Sequence, residues 1–598
     1  MADKAIPARS EVPQEYTWDL THIYVSDEKW FAEYEELKNL PRTFAEFNGK
    51  LGESVSALLG YFKALDSAVI RLDRLIGYAE RKSDEDTGNN FYQDMRGKAR
   101  SIAVETESAC AFADPEIMAI PDETLDKWLE ECPGLRTYKR SLHRIRRRRA
   151  HLLSPECEEL LASAGEVAVA PMQVNSVLHN ADMTYPDVCD SSGETHQLTD
   201  ELLVSLLESP DRALRENTFK SYYKQLGAFR NTFAALIDSQ FKMLRFYSGA
   251  RKYENVLESS LDENEVPPAV YHNLISAVRA NLDKMYRYVA LRKKALGVEE
   301  LHMYDVYTPM IGGVAKEIPF GKAKETVLEA LGVLGEDYVS ILREGFENRW
   351  IDVYPNIGKR GGAYSDMGDP HPYVLLNQTD NFDSMLTIAH EMGHSIHSYL
   401  SCKNQPVSDA RYVIFVAEVA STCNEILLLR HLLSKTQDRR ERAYIINNFL
   451  DKFKGTVYRQ TMFAEFELEL GRMSESGETL TADKICAKYH ELNKLYFGPD
   501  MVSDDEIALE WARIPHFYYN YYVFQYATGF SAAVAIANRI LKEGAPAVAD
   551  YKRFLSGGCS TDPISLLKIA GVDMSTPEPV NSALALFGEL INEMESLV

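Results

Sequence analysis

Hydrophobic residues recur at spacings of three and four along most of the chain, which is the pattern of amphipathic helices. With few glycines or prolines to interrupt it, this pattern predicts long helical stretches at residues 54–82, 197–248, 268–297 and 440–473. Short runs rich in β-branched and aromatic residues, bounded by Gly, Pro and Asp, occur between about residues 350 and 378. The chain is therefore predicted to be mainly α-helical, with one small group of strands.

The breaks between these stretches show no regular period. We find no low-complexity tract and no repeat, which argues against a solenoid. The turn-rich segment from Asp182 to Glu194 is predicted to separate an N-terminal helical third from the rest. The segments KEGAPAVADY (542–551) and LSGGCSTDP (555–563) are predicted to be turns between helices.

Composition and charge exclude several classes of protein. The 598 residues are 45% hydrophobic and 26% charged, which is typical of a globular protein and not of a disordered or collagen-like chain. Because 65 basic residues face 89 acidic ones, the net charge is −24, and we expect no nucleic-acid partner. One basic run, Arg144 with residues 146–149, is interpreted as a solvated helix face paired with carboxylates; a patch that binds nucleic acid or anionic lipid is the alternative.

The cysteines and the apolar runs bear on the compartment. Eight cysteines are scattered singly, without a CxxC pair, which favours a reducing environment. The first twenty residues mix charges and prolines and contain no apolar core of a signal peptide, and no apolar run is long enough to span a bilayer. We therefore expect a cytoplasmic protein without a membrane partner.

Residues 381–400 combine a buried helical stripe with a polar one. His390 and His394 are four residues apart, so their imidazoles lie on one helix face and can converge on one metal ion. Glu391 points about 100° around the helix, beside the ion, where a water-activating base is needed. The alternative for this HExxH pattern is a pair of surface histidines on an amphipathic helix.

A catalytic zinc ion requires a third protein ligand and an open coordination position. The strongly apolar helical segment at residues 411–433 carries Glu418 between valines and alanines. Burying that carboxylate would be costly without compensation, and a cation supplies it. We therefore predict one zinc ion per chain, held by His390, His394 and Glu418.

Three further residues lie close to these ligands in sequence. Glu425, seven residues after Glu418, is predicted either to accept the free N–H of a ligand histidine or to form an ordinary surface salt bridge. His397 is predicted to be hydrogen-bonded behind the ligands, with direct coordination as the alternative. Cys423 is interpreted as a small buried residue and not as a ligand.

Two other segments carry candidate chemistry. Residues 511–530, predicted to be helical, contain five tyrosines, and the spacing of Tyr519, Tyr522 and Tyr526 places their hydroxyls on one face. Such hydroxyls can stabilise the oxyanion of a tetrahedral intermediate, whereas aromatic core packing is the alternative for each of them.

The second segment precedes the HExxH helix. Gly361 and Gly362 stand before Ala363 and Tyr364 and permit the close approach of another backbone. A short edge strand here is predicted to pair with an extended substrate peptide, and a plain hairpin is the alternative.

Five stretches together, GGAYS, YVLLN, AHEMGHSIHS, FVAEVASTCNE and IPHFYYNYYVFQYATG, occur in an order and at separations that resemble the M3 family of zinc peptidases. The resemblance is to the oligoendopeptidase F branch and extends over most of the chain. It implies a multi-helix shell that encloses a deep substrate channel, with a small β-sheet next to the HExxH helix as in zincins. It also implies cleavage of oligopeptides and not of folded proteins.

The resemblance also assigns roles by position. It implies that Glu391 is the general base and that His516, Tyr519 and Tyr522 stabilise the oxyanion, with the same three zinc ligands as above. Phe524 stands where relatives often have tyrosine, which leaves the identity of the stabilising hydroxyl open.

The resemblance further implies three regions along the chain. These are a helical region at 1–115, a helical region of the oligopeptidase F N-terminal type at 116–200, and a zinc metallopeptidase catalytic domain at 201–598. The expected function is a zinc-dependent endopeptidase that hydrolyses internal bonds of short oligopeptides. A zinc exopeptidase and a non-catalytic peptide-binding scaffold are the alternatives, and the sequence carries no signal for the oligomeric state.

Overall fold

The structure is a computed structural model that describes residues 6–312 and 316–598. The chain forms two compact units, each built from three segments. Unit 1 comprises Met1–Ala150, Ala315–Leu428 and Ile536–Gly571, and unit 2 comprises His151–Val314, Leu429–Ala535 and Val572–Val598.

Helices account for most of the described residues, which confirms the prediction of a mainly α-helical fold. The helices before residue 300 are α1 Asp27–Leu37, α2 Leu40–Ala45, α3 Val55–Glu85, α4 Asn90–Ala109, α5 Ala113–Ala119, α6 Asp122–Glu131, α7 Pro133–Arg136, α8 Lys139–Arg147, α9 Pro155–Ala168, α10 Ala170–Val177, α11 Leu203–Leu207, α12 Arg212–Ala228, α13 Arg230–Ala250, α14 Val256–Asp262, α15 Pro268–Arg279 and α16 Leu282–Leu296. Those after residue 300 are α17 Phe320–Leu331, α18 Glu336–Glu347, α19 Phe382–Asn404, α20 Val407–Ala410, α21 Ile414–Lys435, α22 Arg439–Phe453, α23 Arg459–Glu475, α24 Ala482–Phe497, α25 Phe524–Glu543, α26 Ala545–Leu555, α27 Pro563–Ile569 and α28 Glu578–Leu597.

The strands are short and lie in three small sheets. They are β1 Val188–Cys189, β2 Thr195–His196, β3 Leu301–His302, β4 Ile351–Asp352, β5 Tyr364–Asp366, β6 Tyr373–Leu375 and β7 Met501–Val502. β1 pairs with β2 and β3 pairs with β7, whereas β4, β6 and β5 form a three-stranded sheet in that order. These last three strands occupy the region around residues 350–378 where the sequence predicts them.

The predicted helical stretches appear, some of them divided. The stretch at 54–82 is the single helix α3, whose first turn is capped by the Ser54 hydroxyl accepting from the Ala57 amide. The stretch at 440–473 contains α22 and α23, joined by a wider helical turn at Lys454–Tyr458. None of the described helices combines the length and hydropathy needed to cross a lipid bilayer.

One predicted turn is mostly helix. In the segment 542–551, only Gly544 interrupts the helices, at φ +68°, and α26 begins at the next residue. Pro546 lies in the first turn of α26, where its missing N–H has no intrahelical partner to lose. The predicted turn between helices is thus confined to Gly544, because a proline in this position starts a helix instead of breaking one.

The three-stranded sheet of unit 1 packs beside the HExxH helix. β5 pairs antiparallel with β6, Ser365 opposite Val374, and therefore lies at the edge of the sheet. Both β5 and β6 contact α19. On β6, Tyr373 and Leu375 are fully buried in an apolar cluster with aromatic residues of the N-terminal segment and α3. This packing fixes the edge strand next to the helix that carries the candidate metal ligands.

The basic run lies at the end of α8, within unit 1. Arg146 and Arg149 pair with Asp122 of α6. Arg144 approaches the Cys559 thiol with an Nη1–Sγ distance of 3.6 Å. These contacts agree with the interpretation of a helix face whose arginines meet acidic and polar groups.

Candidate metal centre

Helix α19 carries the first two candidate ligands and is anchored by a cap and by a buried stripe. The Asn381 side chain accepts a hydrogen bond from the Ser384 amide at 2.9 Å and so caps the first turn. The buried stripe consists of Met385, Ile388, Met392 and Ile396. Burial of this stripe fixes the rotation of the helix and turns the adjacent polar stripe toward α21.

The polar stripe and α21 bring three donor atoms together. The Nε2 atoms of His390 and His394 are 3.2 Å apart. Oε2 of Glu418 lies 3.4 Å from Nε2 of His390 and 3.7 Å from Nε2 of His394. Two ring nitrogens and one carboxylate oxygen therefore face a common point, although Glu418 is 24 residues from His394.

A glycine allows the two helices to come this close. A Cβ atom on Gly393 would lie 2.5 Å from Cα of Ser421 and 2.8 Å from the carbonyl oxygen of Ala420. Since both of these atoms belong to the backbone of α21, no side-chain rearrangement can relieve the contact. Gly393, the fourth residue of the HEMGH segment and one to which the sequence assigned no role, is thus required for placing Glu418.

Groups behind the three donors orient two of them. Oε1 of Glu425 lies 2.6 Å from Nδ1 of His390, so Nδ1 donates its proton to that carboxylate and Nε2 is the ring nitrogen that faces the other donors. The Ser421 hydroxyl lies 3.3 Å from Oε2 of Glu418 and donates to that residue's backbone carbonyl at 3.0 Å. The structure places the buried side chain of Glu425 in contact with a candidate ligand histidine, as the first of the two predictions for this residue has it.

Negative charge dominates the electrostatics of the centre. Burial lowers the pKa of His390, but hydrogen bonds to Glu418 and Glu425 outweigh it and raise that pKa to about 10. Burial, together with the charge on His390, lowers the pKa of His394 to about 4. The site thus accommodates one positive charge among its carboxylates.

Glu391 is buried beside the three donors. Burial raises the pKa of its carboxyl group to about 7, and the charge on His390 opposes this shift. Its backbone carbonyl accepts from the Ser395 hydroxyl at 3.0 Å, and the Ser395 and Ser365 hydroxyl oxygens are 2.8 Å apart. A pair of serines therefore connects edge strand β5 to the turn of α19 that carries Glu391.

His397 does not have the contacts that the sequence predicts. Its side chain is completely buried, and neither ring nitrogen has a hydrogen-bond partner among the described residues. The ring stacks on Tyr412, with centroids 3.7 Å apart, and burial lowers its pKa to about 3. The predicted hydrogen bond behind the ligands is absent because α19 turns this position into the core. Cys423 is also fully buried, and burial raises its pKa to about 12.

The residues predicted to meet a substrate backbone lie at or beside β5. Gly362 has φ +81°, a conformation that residues with a side chain rarely adopt. Its backbone carbonyl accepts a hydrogen bond from the side-chain amide of Asn377 at 2.8 Å. The Tyr364 hydroxyl donates to Asp84 at 2.8 Å and is thereby held within unit 1. A cavity of about 250 Å³ adjoins Gly362 and Ala363, while Gly361 is exposed.

His516 and the tyrosines cluster within unit 2, but not on one helix. His516 lies in a short helical turn, Pro515–Tyr518, and its Nε2 is 3.2 Å from the Tyr526 hydroxyl. The ring centroids of Tyr519 and Tyr522 lie 5.4 and 6.1 Å from that of His516.

The predicted continuous helix over 511–530 was wrong. Asn520 and Tyr521 have φ +54° and +60°, so the helical path is interrupted between Tyr518 and the start of α25 at Phe524. Phe524 is buried against Tyr271. The tyrosine rings around His516 are therefore brought together by this irregular segment and not by helical spacing.

Comparison with protein families gives two matches along the chain. Residues 205–586 match the family described as Peptidase family M3. Residues 116–185 match the family described as Oligopeptidase F. Together these matches cover most of the described sequence, including every candidate ligand.

Individual relatives are similar over nearly the whole length. Oligopeptidase PepF of Bacillus subtilis is 45% identical over 594 residues, which are 99% of this chain and 89% of that protein. A crystal structure of a protein from Chlamydophila abortus has a TM-score of 0.93 at 32% identity, covering 99% of this chain and 100% of the other. The structure of oligoendopeptidase-F from Enterococcus faecium has a TM-score of 0.75 at 38% identity, covering 96% and 99%.

These matches confirm the resemblance that the five sequence segments indicate, and they agree with a helical fold that carries an HExxH helix beside a small sheet. They imply peptide substrates and a metal cofactor. The chain belongs to peptidase family M3, a family of metallopeptidases, and within it to the oligoendopeptidase F peptidases.

Proposed function

We propose that this peptidase is a zinc-dependent endopeptidase that hydrolyses internal bonds of short oligopeptides. One zinc ion per chain is held by His390, His394 and Glu418. The observation that carries the proposal is the convergence of their three donor atoms, separated by 3.2, 3.4 and 3.7 Å.

The donor set suits zinc in chemistry and in spacing. With metal–ligand bonds of about 2.0 to 2.1 Å, the ligands of a tetrahedral ion are about 3.3 Å apart, close to the separations observed. Two neutral imidazoles and one carboxylate form a typical catalytic zinc set, whereas magnesium and calcium prefer oxygen ligands throughout. The His390–Glu425 hydrogen bond supports the tautomer that coordination requires.

Bound zinc supplies Lewis acidity to a water molecule and to the scissile carbonyl. Glu391 accepts the proton of the attacking water and then donates it to the leaving amine. The burial of its carboxyl group supports this role, because burial strengthens the base. The serine pair that links β5 to α19 holds the backbone of Glu391 in place.

The remaining roles follow from the clusters described above. The outer edge of β5 pairs with the extended substrate through main-chain hydrogen bonds, at Gly361, Gly362, Ala363 and Tyr364, so recognition depends little on side-chain identity. His516, Tyr519 and Tyr522 donate hydrogen bonds to the developing oxyanion.

The proposal also covers the domains of the chain and its cellular compartment. We infer that residues 201–598 form the catalytic domain, that 1–115 and 116–200 are helical regions of the shell, and that the shell encloses a deep substrate channel. A cytoplasmic location is supported by the eight cysteines, all of them unpaired thiols within the described residues.

Two measurements test the proposal. Purified protein should contain one zinc ion per chain by elemental analysis and lose activity to a chelator. A fluorogenic peptide blocked at both ends should be cleaved internally, with the product masses giving the position. Cleavage only of unblocked peptides would indicate an exopeptidase, and zinc-loaded protein that binds but never cleaves peptides would indicate a scaffold.

A further inference from the structure

The loop that carries Tyr519 and Tyr522 has an unusual backbone. We call residues 519–523, between the turn that contains His516 and helix α25, the tyrosine loop. Asn520 and Tyr521 are consecutive non-glycine residues with left-handed φ values of 54° and 60°. Residues with side chains seldom adopt this region, and such a pair persists only where the surroundings impose it.

Two buried side chains of unit 2 hold the loop, one at its backbone and one at the Asn520 side chain and the preceding carbonyl. The amide of Tyr521 donates to Oε1 of Glu467, on α23, at 3.1 Å. Gln240, on α13, donates to Oδ1 of Asn520 at 2.9 Å and to the carbonyl of Tyr518 at 3.3 Å. The left-handed pair is therefore fixed by hydrogen bonds from two helices.

A glycine provides the space for the Tyr521 side chain. A Cβ atom on Gly471 would lie 2.0 Å from the Tyr521 hydroxyl oxygen and 3.3 Å from its Cζ. The Tyr521 ring is buried against Tyr271 and Phe241, at centroid distances of 5.8 and 6.3 Å, so it has no room to move aside. Gly471 is one helical turn after Glu467, and one face of α23 thus contacts both the backbone and the side chain of Tyr521.

Glu467 has no role in the proposed chemistry, yet it is a buried acid. Its side chain is 1% exposed, and its Oε2 has no hydrogen-bond partner among the described residues. Burial raises its pKa well above the usual range, so the group is neutral and acts as a hydrogen-bond acceptor through Oε1. A glutamine has the same shape and offers the same acceptor.

We propose that Glu467 and Gly471 are positioning residues. They hold the tyrosine loop in the conformation that gathers Tyr519 and Tyr522 around His516. This inference rests on the proposed function, in which those residues stabilise the oxyanion.

The first test uses the contact between Gly471 and Tyr521. Gly471→Ala should lower kcat about 10- to 100-fold, because a displacement near 1 Å of a catalytic group has effects of that size. KM should change little, since the affected interaction forms in the transition state. Alanine is a better helix former than glycine, so helix propensity cannot cause the loss.

The matched controls are Tyr521→Phe and the double variant. Tyr521→Phe alone should retain parental kcat. Combined with Gly471→Ala it should restore kcat to within a few-fold of the parent, because the hydroxyl that the new methyl group meets is gone. A loss that persists in the double variant, at parental zinc content and thermal midpoint, would overturn the inference, as would parental kcat in Gly471→Ala.

The second test measures the backbone protection of the tyrosine loop and does not depend on catalysis. Hydrogen exchange followed by mass spectrometry over residues 519–523 should show faster exchange of the Tyr521 amide in Glu467→Ala, and parental exchange in Glu467→Gln. Glu467→Gln should also keep kcat within a few-fold, whereas a directly catalytic acid would not tolerate it. Unchanged exchange in Glu467→Ala would contradict the inference.

Failure of the proposed function gives a different result. In that case Glu391→Gln would cleave peptides at the parental rate, or zinc-loaded parental protein would not cleave them at all. The amide exchange of Tyr521 depends on neither outcome. The positioning role of Glu467 and Gly471 can therefore be refuted independently of the proposed function.

Discussion

Removing the Glu425 carboxylate should weaken zinc binding although this residue is not a predicted ligand. Its Oε1 lies 2.6 Å from Nδ1 of His390 and so sets the ring orientation and the tautomer. In Glu425→Ala, Nδ1–H of His390 loses the acceptor that lies 2.6 Å from it. In Glu425→Gln the acceptor remains and only the charge is lost.

The expected changes in zinc affinity follow from what each of these two substitutions removes. An unsatisfied buried donor costs about 1 to 3 kcal/mol. Loss of a group that orients a metal ligand lowers metal affinity about 10- to 100-fold, which equals about 1.4 to 2.7 kcal/mol. We therefore expect about a 100-fold higher Kd for zinc in Glu425→Ala and about a tenfold higher Kd in Glu425→Gln.

Competition with a chromophoric zinc chelator measures these constants directly. Glu325→Gln is the matched control, because it removes the same charge from an exposed pair with Lys322 at 3.5 Å and should leave the Kd unchanged. Parental zinc affinity in Glu425→Ala would refute the assignment of His390 as a ligand oriented through Nδ1.

Three further outcomes are expected. Gly393→Ala should lower stability in chemical denaturation by about 1 to 3 kcal/mol and reduce zinc content, because its methyl group meets the α21 backbone at Ser421; parental values for both would contradict the close helix crossing. Glu391→Gln should retain parental zinc by elemental analysis and lose peptide turnover, and turnover at the parental rate would refute its role as base. His397→Leu should make the protein less sensitive to acid. The pKa of His397 falls from 6.5 to about 3 on folding, so the unfolded chain takes up a proton first and stability declines as the pH falls below 6.5. The free energy of unfolding contributed by His397 declines by about 2 kcal/mol at pH 5. Chemical denaturation at pH 5 and pH 8 measures this difference. The same pH dependence in His397→Leu and in the parent would argue against a neutral buried ring.

The metal centre was accessible to sequence reasoning because its signals are local. The spacing of His390 and His394 defines one helix face, and Glu418 stands out as a carboxylate within an apolar helix. The close crossing at Gly393 is not local, since the atoms it avoids belong to Ser421 and Ala420 on another helix. A glycine within a helical pattern was a signal that could have suggested it.

Long-range contacts explain the errors. The spacing of the tyrosines predicts a helix, but the backbone at Tyr521 is left-handed, and its amide donates to Glu467, more than fifty residues earlier in the chain. His397 shares a face with the ligands in sequence, yet Tyr412 and the core enclose its ring. In both places tertiary packing overrides the conformation or the contacts that the three- and four-residue spacing in the sequence predicts.

The hydroxyl pair of Ser365 and Ser395 has a consequence for how cleavage sites are chosen. These two side chains, 2.8 Å apart, fix the offset between the outer strand and the turn of α19 that carries Glu391. A peptide paired with that strand would have its backbone held at a fixed offset from Glu391, whatever its side chains.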